Sequence, residues 1–228
     1  MARAMPPKPR VHAPKRGPVD PDTRRQRLIL YGLAASGLVA LAAVGVLIAA
    51  SGGSGGGGTD EARVRGAAEE AGCTFISKPA LPASHSVASP DGTANWNTDP
   101  PTTGPHYQVA AVFGSYTEPL QPARLVHNLE HGGVYIQYGK DVPEATVRQL
   151  QAFYTDHDRG TLLSPLPRLG KQIALGAWVT PSAEEPDEGK GYLMKCTRFD
   201  EAAFAAFLEE FRFKGPERFP ADSLLPGH

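Results

Sequence analysis

Apolar residues recur at regular spacing only in certain segments of this chain, and these segments predict its helices and strands. Residues 28–50 are 23 consecutive uncharged, mostly apolar residues, long enough to cross a bilayer core about 30 Å thick. Helical spacing predicts one helix over 143–157, with Asp141 as its cap, and another that is capped by Asp200. Shorter apolar runs predict strands, at 134–138, 173–179 and 192–197, whereas 162–169, interrupted by prolines, is predicted to be a loop. This mixture predicts one compact α+β domain with a small sheet and two main helices.

The charge around the apolar run predicts how the chain is oriented. Residues 1–27 carry eight Lys/Arg against two Asp and are rich in proline, which predicts a disordered basic tail. Because this positive flank precedes the run, we expect a single-pass protein with a cytoplasmic N-terminus and its C-terminal domain outside the membrane. The alternative is a cleaved signal peptide, although its apolar region is usually only about 7–15 residues. The predicted partner of 28–50 is the lipid bilayer.

The part after the apolar run divides into a linker and a domain. Residues 51–71 contain a Gly/Ser tract and then a short polar helix, capped by Thr59 or Asp60. We expect the extracytoplasmic domain to span 72–228. Beyond the basic tail the chain has 15 Lys/Arg and 22 Asp/Glu, and this negative balance argues against a nucleic-acid surface.

The two cysteines, Cys73 and Cys196, both lie in the predicted outer part. An even count in an oxidising compartment predicts a disulfide between them. The alternative is two buried free thiols. Neither cysteine has a second cysteine or a histidine nearby in the sequence, which makes a shared soft-metal site a poorer explanation.

The segment His127-Asn128-Leu129-Glu130-His131-Gly132-Gly133 concentrates the chemistry of the chain. On a helix, His127, Glu130 and His131 share an arc of roughly 100°. On a strand, Glu130 would point away from both histidines. Because the two glycines suit a helix end, we expect one short helical turn that leads into the strand at 134–138.

Two further histidines lie in the long stretch 75–122, which is rich in proline, glycine and threonine and has no sustained period. Such a stretch usually holds a site or hides short strands. Within it, three prolines and Gly104 make the loop before His106 stiff. His85 lies earlier, among serine and proline.

These segments resemble a known bacterial family. The resemblance rests on 100–107 (PPTTGPHY), 114–116 (GSY), 126–132 (VHNLEHG) and the strand 174–178, and it covers about residues 72–212. Together they are similar to the family called domain of unknown function 3105, with Thr103 where that family would have serine. The resemblance implies a membrane-anchored or secreted domain with several histidines in its signatures, His85 among them, and no established activity.

The histidine segments allow three interpretations. The first is a metal site whose candidate ligands are His106, His127, His131, His85 and Glu130. Imidazole and carboxylate without thiolate suit zinc or copper(II). The second is structural, with the histidines hydrogen-bonded to loop carbonyls in a domain that serves stability or binds an unidentified protein of the cell envelope.

The third interpretation is a small zinc peptidase, because His127, Glu130 and His131 match the pattern H-x-x-E-H. In that case Glu130 is the general base, and Glu209 or Glu210 supplies the remote ligand. The glycine pair shortens the helix that such a motif needs, and the domain is small for a peptidase. No Gly-rich phosphate loop, Cys-x-x-Cys or nucleophile elbow occurs in the chain. We therefore expect a metal-binding or interaction domain rather than an enzyme.

Overall fold

The structure, a computed structural model, describes residues 60–89, 91–182 and 188–227. The predicted basic tail, the apolar run 28–50 and the Gly/Ser tract lie outside these residues. Within the described ranges, no helix combines the length and apolar character needed to cross a membrane.

The domain is α+β, as predicted, and combines five strands with four α-helices in the described residues. The helices are α1 (Glu61–Glu70), α2 (Pro122–Glu130), α3 (Glu144–Asp156) and α4 (Glu201–Phe211). The strands are β1 (Thr74–Pro79), β2 (Val134–Tyr138), β3 (Thr161–Pro165), β4 (Ile173–Val179) and β5 (Lys190–Cys196). Short 3₁₀ turns lie at Pro167–Leu169 and Ala221–Ser223.

The strands form one mixed sheet in the order β1-β5-β4-β2-β3. Strands β2 and β3 pair in parallel, whereas the other neighbours are antiparallel. The central strand β4 is buried along its whole length, because both faces of the sheet are covered. The largest apolar cluster contains residues of α1, α3 and α4 together with Ile136 of β2, and a second contains residues of α2 together with Tyr135. Successive residues of β2 therefore point into opposite clusters, and α2 belongs to the second.

The helices expected from periodicity are confirmed, with differences at their ends. The Asp200 side chain caps α4 by accepting from Ala203 N (3.1 Å), and Asp60 caps α1 in the same way. Asp141, the predicted cap of α3, does not cap it; Pro143 occupies that position without a side-chain bond. The central motif ends a nine-residue helix, α2, rather than one short turn.

Two strands and one packing relationship were not predicted from the sequence. Residues 162–169, expected to be a loop, contribute most of β3, and the irregular stretch from residue 75 contains most of β1. Helix α1 is more than part of a linker, since Val64 and Ala68 are fully buried in the core. The packed core therefore includes α1, which lies before residue 72, and the sheet has five strands.

Cys73 and Cys196 lie at disulfide distance, with 2.04 Å between their sulfur atoms. Cys73 directly precedes β1 and Cys196 ends β5. The pair joins two neighbouring strands at one end of their antiparallel ladder.

Candidate metal centre

Helix α2 and the glycine turn after it place the motif side chains. The helix closes with backbone bonds from His131 N to His127 O (3.2 Å) and from Gly132 N to Leu129 O (3.0 Å). Gly132 has φ +92°, which glycine adopts without strain, and the chain then turns directly into β2. His127 and His131, one helical turn apart, face each other with their Nε2 atoms 3.0 Å apart.

The proline-rich loop that carries His106 is fixed by backbone contacts. His106 is fully buried, and its backbone N donates to Ser84 O (2.9 Å). Trp96 Nε1 donates to Pro105 O (3.0 Å) and fixes the loop beside it. Ser84 and Pro105 also form an isolated β-bridge between the two loop segments. This bridge brings His85 next to His106, with ring centroids 4.6 Å apart.

Four side chains from these segments converge on one point and form what we call the four-residue cluster. Its members are His85, His106, His127 and Glu130. Each offers a ligand atom, and these atoms all lie within 4.8 Å of one another. Glu130 Oε2 lies 3.0 Å from His106 Nε2 and 3.8 Å from His85 Nε2. A tetrahedral ion with bonds of 2.0–2.1 Å spaces its ligand atoms by about 3.3–3.4 Å, and the two distances bracket that value.

Backbone carbonyls fix the orientation of two of these imidazoles. His106 Nδ1 lies 2.8 Å from Gly104 O, and His127 Nδ1 lies 2.6 Å from Tyr107 O. Because a carbonyl only accepts, each Nδ1 carries the proton, and the Nε2 of the neutral ring is left with its lone pair. This is the arrangement in which outer-shell carbonyls orient histidine ligands of metals. Both Nε2 atoms belong to residues of the four-residue cluster; that of His106 has no hydrogen-bond partner among the described residues, and that of His127 contacts His131.

The contact between His106 and Glu130 is close without being a hydrogen bond. The two atoms, 3.0 Å apart, are both buried, and neither has a hydrogen-bond partner among the described residues. The oxygen therefore lies off the direction in which an Nε2–H would point. A buried polar atom without a partner is costly. An ion between the two atoms would satisfy both at once.

Burial and the charges of neighbouring side chains have opposite effects on the pKa values of the cluster residues. Burial opposes a charged His106, but the nearby Glu130 carboxylate outweighs it and raises the pKa of His106. Burial likewise opposes a charged Glu130, yet the surrounding imidazoles, His106 first, lower its pKa. The pKa of His127 is lowered, mainly by burial. Without an ion, the Glu130 carboxylate therefore favours proton binding by His106, and the imidazoles favour the charged form of Glu130.

His131 belongs to a different set, the three-residue cluster of Glu130, His131 and Glu217. Its Nε2 lies 3.0 Å from Glu217 Oε2. Burial, and then the neighbouring His127, lower the pKa of His131 to about 4. At neutral pH its contact with Glu217 is therefore one between an uncharged ring and a carboxylate.

The structure brings together most, but not all, of the predicted ligands. Of the five, His131 falls outside the four-residue cluster, and Glu217 was not predicted. Glu217 lies in the irregular segment after α4, where no periodicity or motif singles it out. Glu209 and Glu210, the predicted remote ligands of a peptidase, instead form ion pairs with Arg63 (3.6 and 3.5 Å). Neither is a member of the two clusters.

The match to known families covers the same motifs. DUF3105, described as a protein of unknown function, matches residues 88–223, more than half of the chain. The chain belongs to the DUF3105 family. No curated protein and no solved structure gives a match.

The span of the DUF3105 match divides the candidate ligands. It includes His106, the motif of α2 and Glu217, but it begins after His85. His85 is also the most exposed member of the four-residue cluster, with 46% of its side chain accessible. This DUF3105 domain therefore contains a His/Glu cluster that could hold a metal ion, and one member of that cluster lies outside the matched residues.

Proposed function

We propose that this domain is a metal-binding domain of the cell envelope and that the four-residue cluster holds one zinc or copper(II) ion. The observation that supports it most directly is the pair of buried, unpartnered atoms, His106 Nε2 and Glu130 Oε2, at 3.0 Å. Three imidazoles and one carboxylate match the donors that both ions accept. The basic tail before the apolar run and the disulfide pair support a location outside the cytoplasmic membrane.

The exposure of the ligands suits an ion that enters from solvent. His106 and Glu130 are buried, whereas His85 lines an open cavity of about 390 Å³ together with Tyr107 and Arg124. An ion can therefore reach the cluster through this cavity, with His85 as the last ligand to close. The three less exposed residues form the fixed part of the site.

The test is metal uptake by the full-length chain. The chelator-stripped protein is titrated with zinc or copper(II), and bound metal is measured after removal of free ion. We expect tight binding, and we expect His106→Gln to weaken it by more than the roughly 10–100-fold that loss of an outer-shell partner costs. His157→Gln is the matched control, because His157 packs on Phe153 outside both clusters.

The opposite result has a clear structural meaning. If the wild-type chain binds neither ion above the level of a His85/His106 double variant, the cluster is a buried ion pair between His106 and Glu130. The domain is then a structural or interaction module. Unchanged affinity in His106→Gln would equally contradict the proposed site.

A further inference from the structure

The three-residue cluster lies directly beside the four-residue cluster and shares one member with it. Glu130 belongs to both, whereas His131 and Glu217 belong only to the second. An ion with bonds near 2.1 Å holds its ligand atoms at most about 4.2 Å apart, and His131 is not grouped with His85 or His106. One ion therefore does not account for all six side chains.

We propose that the three-residue cluster is a second cation site, so that Glu130 bridges two divalent ions. This inference rests on the proposed function, because the first ion is the one held by the four-residue cluster. Bridged pairs of metal ions in proteins are about 3.5–4 Å apart. A carboxylate has two oxygens with separate lone pairs, so one glutamate can serve both ions.

The buried carboxylate is the observation that points to a bridge. The Glu130 side chain is 5% exposed, and its Oε2 has no hydrogen-bond partner among the described residues. A carboxylate in this position needs positive charge around it. Its neighbours in the three-residue cluster are His131 and a second carboxylate, Glu217, with ligand atoms all within 4.8 Å of one another. A cation among them would offset the repulsion between the two carboxylates.

The contact between the clusters has the geometry of ligands on adjacent ions. His127 Nδ1 donates to Tyr107 O, so the Nε2 of the neutral ring is the atom that can bind an ion, and it lies 3.0 Å from His131 Nε2, with which it shares a hydrogen bond when no ion is bound. If His127 binds the first ion and His131 the second, these nitrogens lie side by side on the two ions, with Glu130 as the bridge.

Backbone hydrogen bonds of the segment after α4 position Glu217 beside His131. Its backbone bonds to the glycine turn, with Phe213 N donating to Gly132 O (2.7 Å) and Glu217 N to Glu130 O (3.1 Å). Phe219 stacks on the His131 ring at 4.1 Å between centroids. His131 also lines a second open cavity, of about 290 Å³, which gives this position its own access from solvent.

The number of bound ions tests the inference. Full-length wild-type chain, stripped and reloaded with zinc, should retain two ions, whereas Glu217→Gln should retain one. Glu118→Gln, an exposed residue outside both clusters, should keep two. His131→Gln provides a second variant with the same expected loss, should Glu217→Gln fold poorly.

Copper(II) loading adds a readout of proximity. Two copper(II) ions joined by one carboxylate couple magnetically, so the wild type should show less paramagnetic resonance intensity than its copper content requires. Glu217→Gln should regain full single-ion intensity. One ion in the wild type would overturn the second site and leave the proposed function standing, and two ions in Glu217→Gln would exclude Glu217 as a ligand. No bound ion at all would overturn the proposed function itself.

Discussion

The Asn128 side chain pairs with both backbone polar groups of Ala111. Asn128 Oδ1 accepts from Ala111 N (3.0 Å), and its Nδ2 donates to Ala111 O (2.8 Å). Asn128 is fully buried and Ala111 nearly so. Asn128, which follows His127 in α2, therefore holds the irregular segment around Ala111 against the helix, through the same pair of bonds that a neighbouring strand would make.

Asn128→Ala should destabilise the domain. The change leaves two buried backbone groups without partners, at about 1–3 kcal/mol each, so we expect the free energy of unfolding to fall by about 2–6 kcal/mol. Chemical denaturation of the metal-free protein measures this. Asn97→Ala is the control, because Asn97 is exposed and makes a single bond to Pro79 O. An equal loss in both variants would contradict the role of Asn128.

Gly176→Ala should also destabilise the domain, through Tyr135. The two residues are paired across β2 and β4, and a Cβ on Gly176 would lie 2.2 Å from the Tyr135 ring. Tyr135 cannot move freely, since it is fully buried and its hydroxyl donates to Pro101 O (3.1 Å). Overpacking of this kind costs about 1–3 kcal/mol.

A second glycine provides the control for that measurement. Gly66 lies within α1 with nothing within 4 Å of the position of an added Cβ. Gly66→Ala should therefore raise the free energy of unfolding by about 0.5–1 kcal/mol, through helix propensity. If Gly176→Ala were as well tolerated, the close contact with Tyr135 would be wrong.

Opening the Cys73–Cys196 bond should lower the stability of the domain. The cysteines are 123 residues apart in the chain, and in the chain-entropy account a loop of that length contributes about 4–5 kcal/mol. Denaturation with and without reductant measures the loss, and Cys73→Ala/Cys196→Ala should show no further effect of reductant. Linked peptides in unreduced digests identify the bond. Two alkylatable thiols in protein taken from its native compartment would contradict it.

The stability of the metal-free protein should depend on pH through His131. Its pKa is lowered to about 4 in the folded state, against about 6.5 in an unfolded chain. A lowered folded-state pKa means that the unfolded chain binds the proton first. The contribution of His131 is then fully present above pH 6.5 and is lost as the pH falls through that value towards 4.

Denaturation in chelator at pH 7.5, 5.5 and 4 tests this prediction. The wild type should lose more stability than His131→Gln over this range, by about 3 kcal/mol at most. His157→Gln should behave like the wild type. Parallel curves for wild type and His131→Gln would show that His131 does not titrate in this range.

Elements with a strong hydrophobic pattern were predicted from the sequence, whereas strands that form only beside a partner strand were missed. Helix α4 has phenylalanines at helical spacing (Phe204, Phe207 and Phe211), and β4 is a continuous apolar run, so both are recognisable from the sequence alone. Strand β3 carries a proline and is short, and its conformation comes from its parallel partner β2. Strand β1 likewise has no strand pattern of its own in the sequence, and its extended conformation comes from pairing with β5.

The residues of the candidate site also differ in whether the local sequence indicates them. His127, Glu130 and His131 are close in sequence, so helical geometry alone brings them together, and the stiff loop singles out His106. Glu217 has no local signal, because only the bonds from 213 and 217 to the glycine turn carry it there. His131 was assigned to the same ion as His106, since spacing shows which residues share a face but not which of them a distant loop approaches.

The bond between Cys73 and Cys196 also determines how the domain bears mechanical load. Strand β1 is at the edge of the sheet, so tension applied from the N-terminal side would strip α1 and then unzip β1 from β5 one pair at a time. With the disulfide closed, the tension passes at Cys73 directly to the end of β5, before β1 begins. Strand β1 then bears none of this load, so its six residue pairs with β5 stay closed while α1 is pulled away.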